Sequence, residues 1–162
     1  MAKETFKTRL ITNLTWCGKP KIRMCQVKTG ITTIFPASIV KLDGTNDKII
    51  DLNAASTTVA FAYVLLKKGH EIDTAYAALE WIPVLVLAEN CGVGVWVHVL
   101  DNTAVVGGVA VTGAAGGYVT LGALTATYYQ IGFYAESQAT VNGTDKLQQI
   151  YIQQGVVPKA AA

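Results

Sequence analysis

Few side chains in this sequence could do chemistry, and their spacing decides what chemistry is open to them. The two histidines, His70 and His98, fall in a polar loop and an apolar strand pattern respectively. Neither has a cysteine close by in sequence, so neither a metal site nor a catalytic base is signalled. The three cysteines, Cys17, Cys25 and Cys91, form no C-x-x-C pair and are odd in number. They read as small buried hydrophobes rather than a zinc site or a disulfide framework. Asp43, Asp47 and Asp51 invite a calcium reading, but their spacing lacks the alternate acids and closing Glu of an EF-hand loop, so turn chemistry explains them better. Glu89 and Glu136 are the one enzyme-like pair, two carboxylates at strand ends as a glycosidase would need. The polar and aromatic residues of a sugar site are not gathered around either. No G-x-S-x-G or Cys-His grouping is present, and the glycine-rich turn at Gly113, Gly116 and Gly117 lacks the Gly-Lys-Ser/Thr ending of a phosphate loop. The expectation is a protein without catalytic activity, metal or cofactor.

The elements that would have to position any site read as mainly β. Val109 to Ala135 contains no charged residue. Within it Val109 and Val111 alternate, a Gly-rich turn follows, Val119 and Leu121 alternate, and Tyr129, Ile131 and Phe133 take every second position. Ile39 to Val64 echoes that pattern about 70 residues earlier, with Ile39–Leu42, the turn Asp43-Gly44-Thr45-Asn46, Ile49–Leu52, and alternating Val59, Phe61 and Tyr63. This predicts a compact β-barrel-like body built from a duplicated hairpin-plus-strand unit. Further strands are expected at Arg9–Leu14 and Lys21–Val27. Val84–Glu89 and Val93–Leu100 are expected to form a hairpin around Asn90-Cys91-Gly92, and Lys146–Gln153 a half-exposed edge strand. Asp73 as N-cap and the alanines after it predict one short helix over Thr74–Trp81, stopped by Pro83. The domain reading is an N-terminal arm over 1–35, a single β domain over 36–157 and a tail over 158–162.

Composition bounds the partners. The 162 residues are 51% hydrophobic and only 15% charged, against roughly 25% charged in ordinary soluble domains. Something other than water must cover much of such a surface, either neighbouring subunits or a bilayer. The uncharged stretch from Asn102 is long enough to span, but its glycines and threonines make a poor lipid-facing helix, and turns in hydrocarbon would leave backbone groups unpaired. No membrane partner is therefore expected. Met1–Ile11 has charges without an apolar core behind them, so no export leader is expected and the cysteines should stay reduced.

The net charge of +2 conceals an asymmetry: residues 1–41 hold eight basic residues and one acid, the remainder five basic residues and ten acids. Lys7, Arg9, Trp16, Lys19, Lys21 and Arg23 read as an arm that lays apolar surface on a partner while its cations meet acidic groups there. A solvated first hairpin of the same domain is the other reading. Nucleic acid is disfavoured, with only Trp16 and Phe6 available to stack on bases and no recognition motif.

Together the turn Leu42-Asp43-Gly44-Thr45, the strand Ile131-Gly132-Phe133-Tyr134-Ala135-Glu136, the Ala- and Gly-rich β modules and the preceding basic arm resemble the head decoration, or cement, proteins of tailed phages. The likeness is to the group with a β-tulip body that includes the phage lambda head decoration protein, and it covers roughly residues 36–157. The resemblance implies a homotrimer without an active site, assembled in the host cytoplasm. It would sit on the outer surface of the virion capsid, clamping the major capsid protein at three-fold and quasi-three-fold sites. It assigns coat contacts to Lys7, Arg9, Trp16, Lys19, Lys21 and Arg23, and subunit contacts to Val95, Trp96, Val97, Tyr129, Ile131 and Phe133. A carbohydrate- or receptor-binding β module of a viral or surface fibre is the alternative, with Tyr128, Tyr129, Tyr134 and Tyr151 as its aromatic platform.

Overall fold

The computed structural model of the chain describes residues 20–100, 103–123, 125–141 and 147–159. The first five strands, β1 (Ile22–Val27), β2 (Ile39–Leu42), β3 (Ile49–Leu52), β4 (Ala62–Val64) and β5 (Trp81–Val86), close into a barrel in the order β1-β3-β2-β4-β5. All neighbours pair antiparallel except β1 and β3, which meet in parallel at Gln26↔Ile49 and Val27↔Ile50. Alternation sends Cys25, Val27, Val40, Ile50, Ala62, Val64, Ile82 and Val84 into one buried cluster. Each fully buried Val or Ile there stabilises the fold by about 1.5–3 kcal/mol.

Seven strands follow: β6 (Gly94–His98), β7 (Thr103–Val105), β8 (Ala110–Gly113), β9 (Val119–Leu121), β10 (Tyr128–Tyr134), β11 (Gln138–Val141) and β12 (Leu147–Val157). Five of them form a sheet in the order β6-β12-β10-β8-β9, and β7 with β11 makes a separate two-stranded ribbon. A parallel bridge, Val99↔Val119, joins the two ends of the five-stranded sheet.

The second sheet repeats the first barrel strand for strand, β6, β8, β9, β10 and β12 standing for β1 to β5. The cross-strand pairs Met24↔Pro83 and Gln26↔Trp81 recur as Trp96↔Gln149 and His98↔Leu147. The turn bonds recur as well. Ala37 N–H donates to Val64 O at 2.9 Å and Gly108 N–H to Tyr134 O at 2.8 Å. Asp43 N–H donates to Ile49 O, and Ala114 N–H to Tyr118 O, both at 2.9 Å. Lys28 N–H reaches Ile50 O at 3.0 Å, and Leu100 N–H reaches Val119 O at 2.9 Å. Even a left-handed residue is matched, Ala37 at φ 73° and Gly108 at φ 76°. The duplicated unit expected from Ile39–Val64 and Val109–Ala135 is thus the centre of a longer repeat that includes the strand before it and the strand after it.

The two units share a core. Ile39, Tyr63 and Leu85, facing outward from the first barrel, join Val95, Val97, Val111, Val119, Ile131 and Ile150 of the second in one buried cluster. The Tyr63 hydroxyl donates to Trp96 O at 2.7 Å across the junction, and His98 Nε2 faces Pro36 O at 3.2 Å. The glycine-rich turn explains itself here. A Cβ on Gly113 would lie 1.8 Å from Asn53 Nδ2, and one on Gly117 would lie 3.1 Å from Ile39 O. The turn is bare because it lies against the first barrel.

Three sequence expectations are corrected. Residues 74–80 are not helical, and Trp81 begins β5. Tyr76 is fully buried, its hydroxyl donates to Leu65 O at 2.7 Å and its N–H to Ile34 O at 2.8 Å, while Leu79 takes φ 65°. Those anchors outweigh the alanines' preference, which is small in so short a segment. β5 and β6 form no hairpin, because β1 and β4 occupy both edges of β5. A short 3-10 turn, Leu87–Glu89, then carries the chain to the second unit. Asn90 locks that exit, donating to Val86 O at 2.7 Å and Lys21 O at 2.9 Å and accepting from Lys21 N–H at 2.8 Å. Finally β12 is no edge strand: it pairs with β6 on one side and β10 on the other. β1 is a barrel strand, so residues from 22 onward belong to the body, while the expected strand Arg9–Leu14 lies outside the described residues.

Candidate functional site

The residues with catalytic or ligating chemistry are dispersed by this fold. His70 stacks on Tyr76 with ring centroids 4.0 Å apart, and its Nε2 faces Thr74 O at 2.8 Å. His98 is held at the junction, edge-on to Tyr118. Cys25 points into the first barrel, where burial raises its thiol pKa, and Cys91 is exposed elsewhere; Cys17 lies outside the described residues. Among the described residues no group of three or more His, Cys, Asp or Glu could hold a metal ion. Where the aspartates suggested calcium, Lys28 Nζ sits 2.7 Å from Asp43 and 3.2 Å from Asp51, and Thr45 donates to Asp43 at 2.8 Å. The hydrogen bond from Lys28 holds the Asp43 carboxyl below its usual pKa, and Asp43 and Asp51 in turn raise that of Lys28. An ammonium group fills the cation's role. Glu89 follows β5 while Glu136 follows β10, non-equivalent places in the repeat, and Glu89 is engaged by Arg23.

Of the proposed coat-binding residues, Lys7, Arg9, Trp16 and Lys19 lie outside the described residues. Lys21 immediately precedes β1 and Arg23 is its second residue, at one end of the first barrel. There a cleft of about 580 Å3 is lined by Arg23, Lys41, Phe61, Val86, Glu89 and Gln154. Apolar residues make up much of the lining, and Arg23 and Glu89, which form an ion pair, both belong to it. Gln154 donates to Ala60 O at 2.6 Å and so ties the second unit's last strand to that end. Such a mouth suits an apolar side chain flanked by charge.

The proposed subunit contacts separate into two groups. Val95, Val97 and Ile131 are 1–2% exposed inside the second unit and have no surface to offer another chain. Trp96 packs against the shared core, and Tyr129 and Phe133 are half-buried. The aromatic platform does not form, because Tyr128 and Tyr134 are buried. Burial raises the Tyr134 hydroxyl pKa far above the ordinary value.

Sequence reading missed an exposed apolar face. Ile22, Met24 and Trp81 are 49%, 51% and 46% exposed on the outer side of β1 and β5, and Leu79 adjoins them, since Gln26 Nε2 donates to Leu79 O at 3.0 Å. Ile22 and Met24 alternate with Arg23 and Cys25. That period-2 signal was present, but it ran together with the basic residues taken for an arm.

No protein-family model matches the chain, and no curated protein matches it. Among solved structures it is similar to the N base of the head fiber gp8.5 in bacteriophage phi29, at 11% identity and a TM-score of 0.51, over 82% of this chain and 93% of that one. That likeness is one of fold.

Proposed function

We propose that the protein is a non-enzymatic structural component of a phage virion that decorates the outside of the head. The fold it shares with the base of a head fibre, over most of both chains, carries this reading. Two features agree with it: the charge-poor composition and the exposed β1–β5 face. In the finer form of the proposal, a homotrimer binds the major capsid protein at three-fold and quasi-three-fold sites and clamps neighbouring coat subunits. Lys7, Arg9, Trp16 and Lys19, with Lys21 and Arg23 at the mouth of the first barrel, would meet acidic groups on the coat. Several such contacts per trimer would multiply affinity through effective concentration.

The test is co-sedimentation with heads lacking the protein. Because β1 begins at Ile22, the informative truncation removes residues 1–19 and leaves the barrel whole. Full-length protein pelleting with heads, and loss of pelleting on truncation, is expected. Failure of the full-length chain to bind would remove the decoration reading; undiminished binding after truncation would remove the arm's share in it.

A further inference from the structure

The internal repeat lets one contact be read twice. On the second unit, the outer side of β6 and β12 carries Trp96, His98 and Leu147, and the first barrel covers it: His98 Nε2 faces Pro36 O, Trp96 O accepts from Tyr63, and Leu147 is buried in the shared cluster with Ala37. By the ladder register the same three positions on the first unit are Met24, Gln26 and Trp81. There Met24 and Trp81 are half-exposed among the described residues. The covering segment also has a repeat mate. Phe35 to Ala37, set by Ser38 N–H donating to Phe35 O at 3.2 Å, matches Val106 to Gly108, set by Val109 N–H donating to Val106 O at 3.1 Å. Val106 and Val109 stand 43% and 37% exposed. Among the described residues each chain therefore has an exposed receiving face and an exposed covering loop, and the intrachain junction shows the two kinds of surface fitting together.

We infer that a second copy of this chain docks its Val106–Val109 loop on the β1–β5 face, around Ile22, Met24 and Trp81, repeating between chains the contact that joins the two units within one. The inference rests on the self-association part of the proposed function and gives it a geometry. The two surfaces differ, so the contact is head-to-tail. Such contacts close into a ring when the rotation permits and otherwise run on as a filament. Closure at three chains would produce the trimer. An exposed apolar face of this kind is an aggregation hazard when left open, and a neighbouring copy removes the hazard.

The test uses the full-length protein and two substitutions on opposite surfaces, Met24→Glu and Val106→Asp, with native mass followed by light scattering from micromolar to near-millimolar concentration. Wild type is expected at a multiple of the 17.2 kDa chain, and each variant alone at 17.2 kDa. An equimolar mixture of the variants should recover a species of two chains and nothing larger, because it retains one intact receiving face and one intact loop. Trp81→Lys serves as a second receiving-face variant should Met24→Glu lower the melting temperature. A wild-type monomer throughout, or an oligomer indifferent to both substitutions, overturns the inference. Head pelleting is scored separately: a wild-type oligomer sensitive to both substitutions that ignores heads keeps this interface and removes the decoration reading.

Discussion

Gly132→Ala tests how far the two units have diverged. At this position β10 carries an irregularity, its register with both β8 and β12 shifting between Gln130 and Gly132. A Cβ there would lie 2.1 Å from the Tyr151 carbonyl oxygen and 3.0 Å from its carbon. Both are backbone atoms of the neighbouring strand, so no side chain can swing away, and β10 and β12 must part by about 1 Å at a ladder spacing of about 4.8 Å. Loosening two ladder hydrogen bonds costs about 1–3 kcal/mol, and the overpacking costs about 1–3 kcal/mol more. The expected loss is about 4 kcal/mol, which at about 2–4 °C per kcal/mol for a chain of this size lowers Tm by about 8–16 °C. Gly155→Ala is the matched control, in β12 opposite Gln130 with nothing within 4 Å of its would-be Cβ. It should leave Tm unchanged or raise it slightly, since alanine has less chain entropy to lose. Thermal unfolding followed by circular dichroism measures both. If Gly132→Ala melts within 2 °C or so of wild type, β10 and β12 do not approach as closely as described. A control that falls as far as the test variant would show that any added methyl disturbs this strand pair, and the steric reasoning would fail.

Tyr63→Phe removes the hydroxyl that bonds Trp96 O across the junction and should cost about 1–2 kcal/mol in denaturant unfolding. Unfolding should remain a single transition, because Tyr63 sits in the core both units share. Leu79→Gly relieves a left-handed leucine at φ 65° that is 53% exposed, and should stabilise by about 0.5–1 kcal/mol, read as a higher urea midpoint. On acidification stability should fall below about pH 4, since Asp43 and Glu80, held below their usual pKa by hydrogen bonds from Lys28 and Lys67, are stabilising when ionised and lose that contribution as they protonate. Lys28→Met should blunt the Asp43 part of this response. In alkali the sign reverses: burial pushes the Tyr76 hydroxyl up to about 12, so the unfolded chain ionises first and stability should drop as pH rises from about 10 towards 12, a loss that Tyr76→Phe should reduce.

Strand identity was legible in the sequence wherever alternation was strong. Ile39–Leu42, Ile49–Leu52 and Val119–Leu121 are strands with those bounds, because β-branched residues on a two-residue period have one face to bury. Pairing was not legible in the same way. Val84–Glu89 and Val93–Leu100 look like hairpin partners only while the competing edges of β5 are unseen. Their separation depends on Asn90, whose polar side chain reads as an ordinary turn residue until its bonds to Lys21 and Val86 are visible. The same limit hid the exposed apolar face. Ile22, Met24 and Trp81 are far apart in sequence, and only the register Gln26↔Trp81 and Met24↔Pro83 sets them side by side. Lys21 and Arg23 were visible as cations, but their place at the mouth of a closed barrel follows from β1 pairing with both β3 and β5.

The differences between the units are as informative as their likeness. Where the first unit has Asp43 to Lys48, a polar turn with Gly44 at φ 83°, the second has the uncharged turn Ala114 to Tyr118 with Gly116 and Gly117 at φ 75° and 79°. Asp43 and its neighbours face water and Lys28, whereas Gly117 lies against Ser38, Leu52 and Ile39 of the first barrel, where neither a charge nor a Cβ fits. Within the long uncharged stretch, the turn at Gly113 and Gly117 thus records the junction, because first-barrel atoms lie where a side chain would stand. The same logic separates Met24 from Trp96. Each occupies the same ladder position, but Trp96 has the first barrel over it and Met24 has open surface. A methionine half-exposed on a strand, beside a tryptophan in the same state, costs solubility unless another surface meets it. If the inferred contact between chains forms, it covers the β1–β5 face as the first barrel covers its repeat mate, and that cover would account for the face remaining apolar.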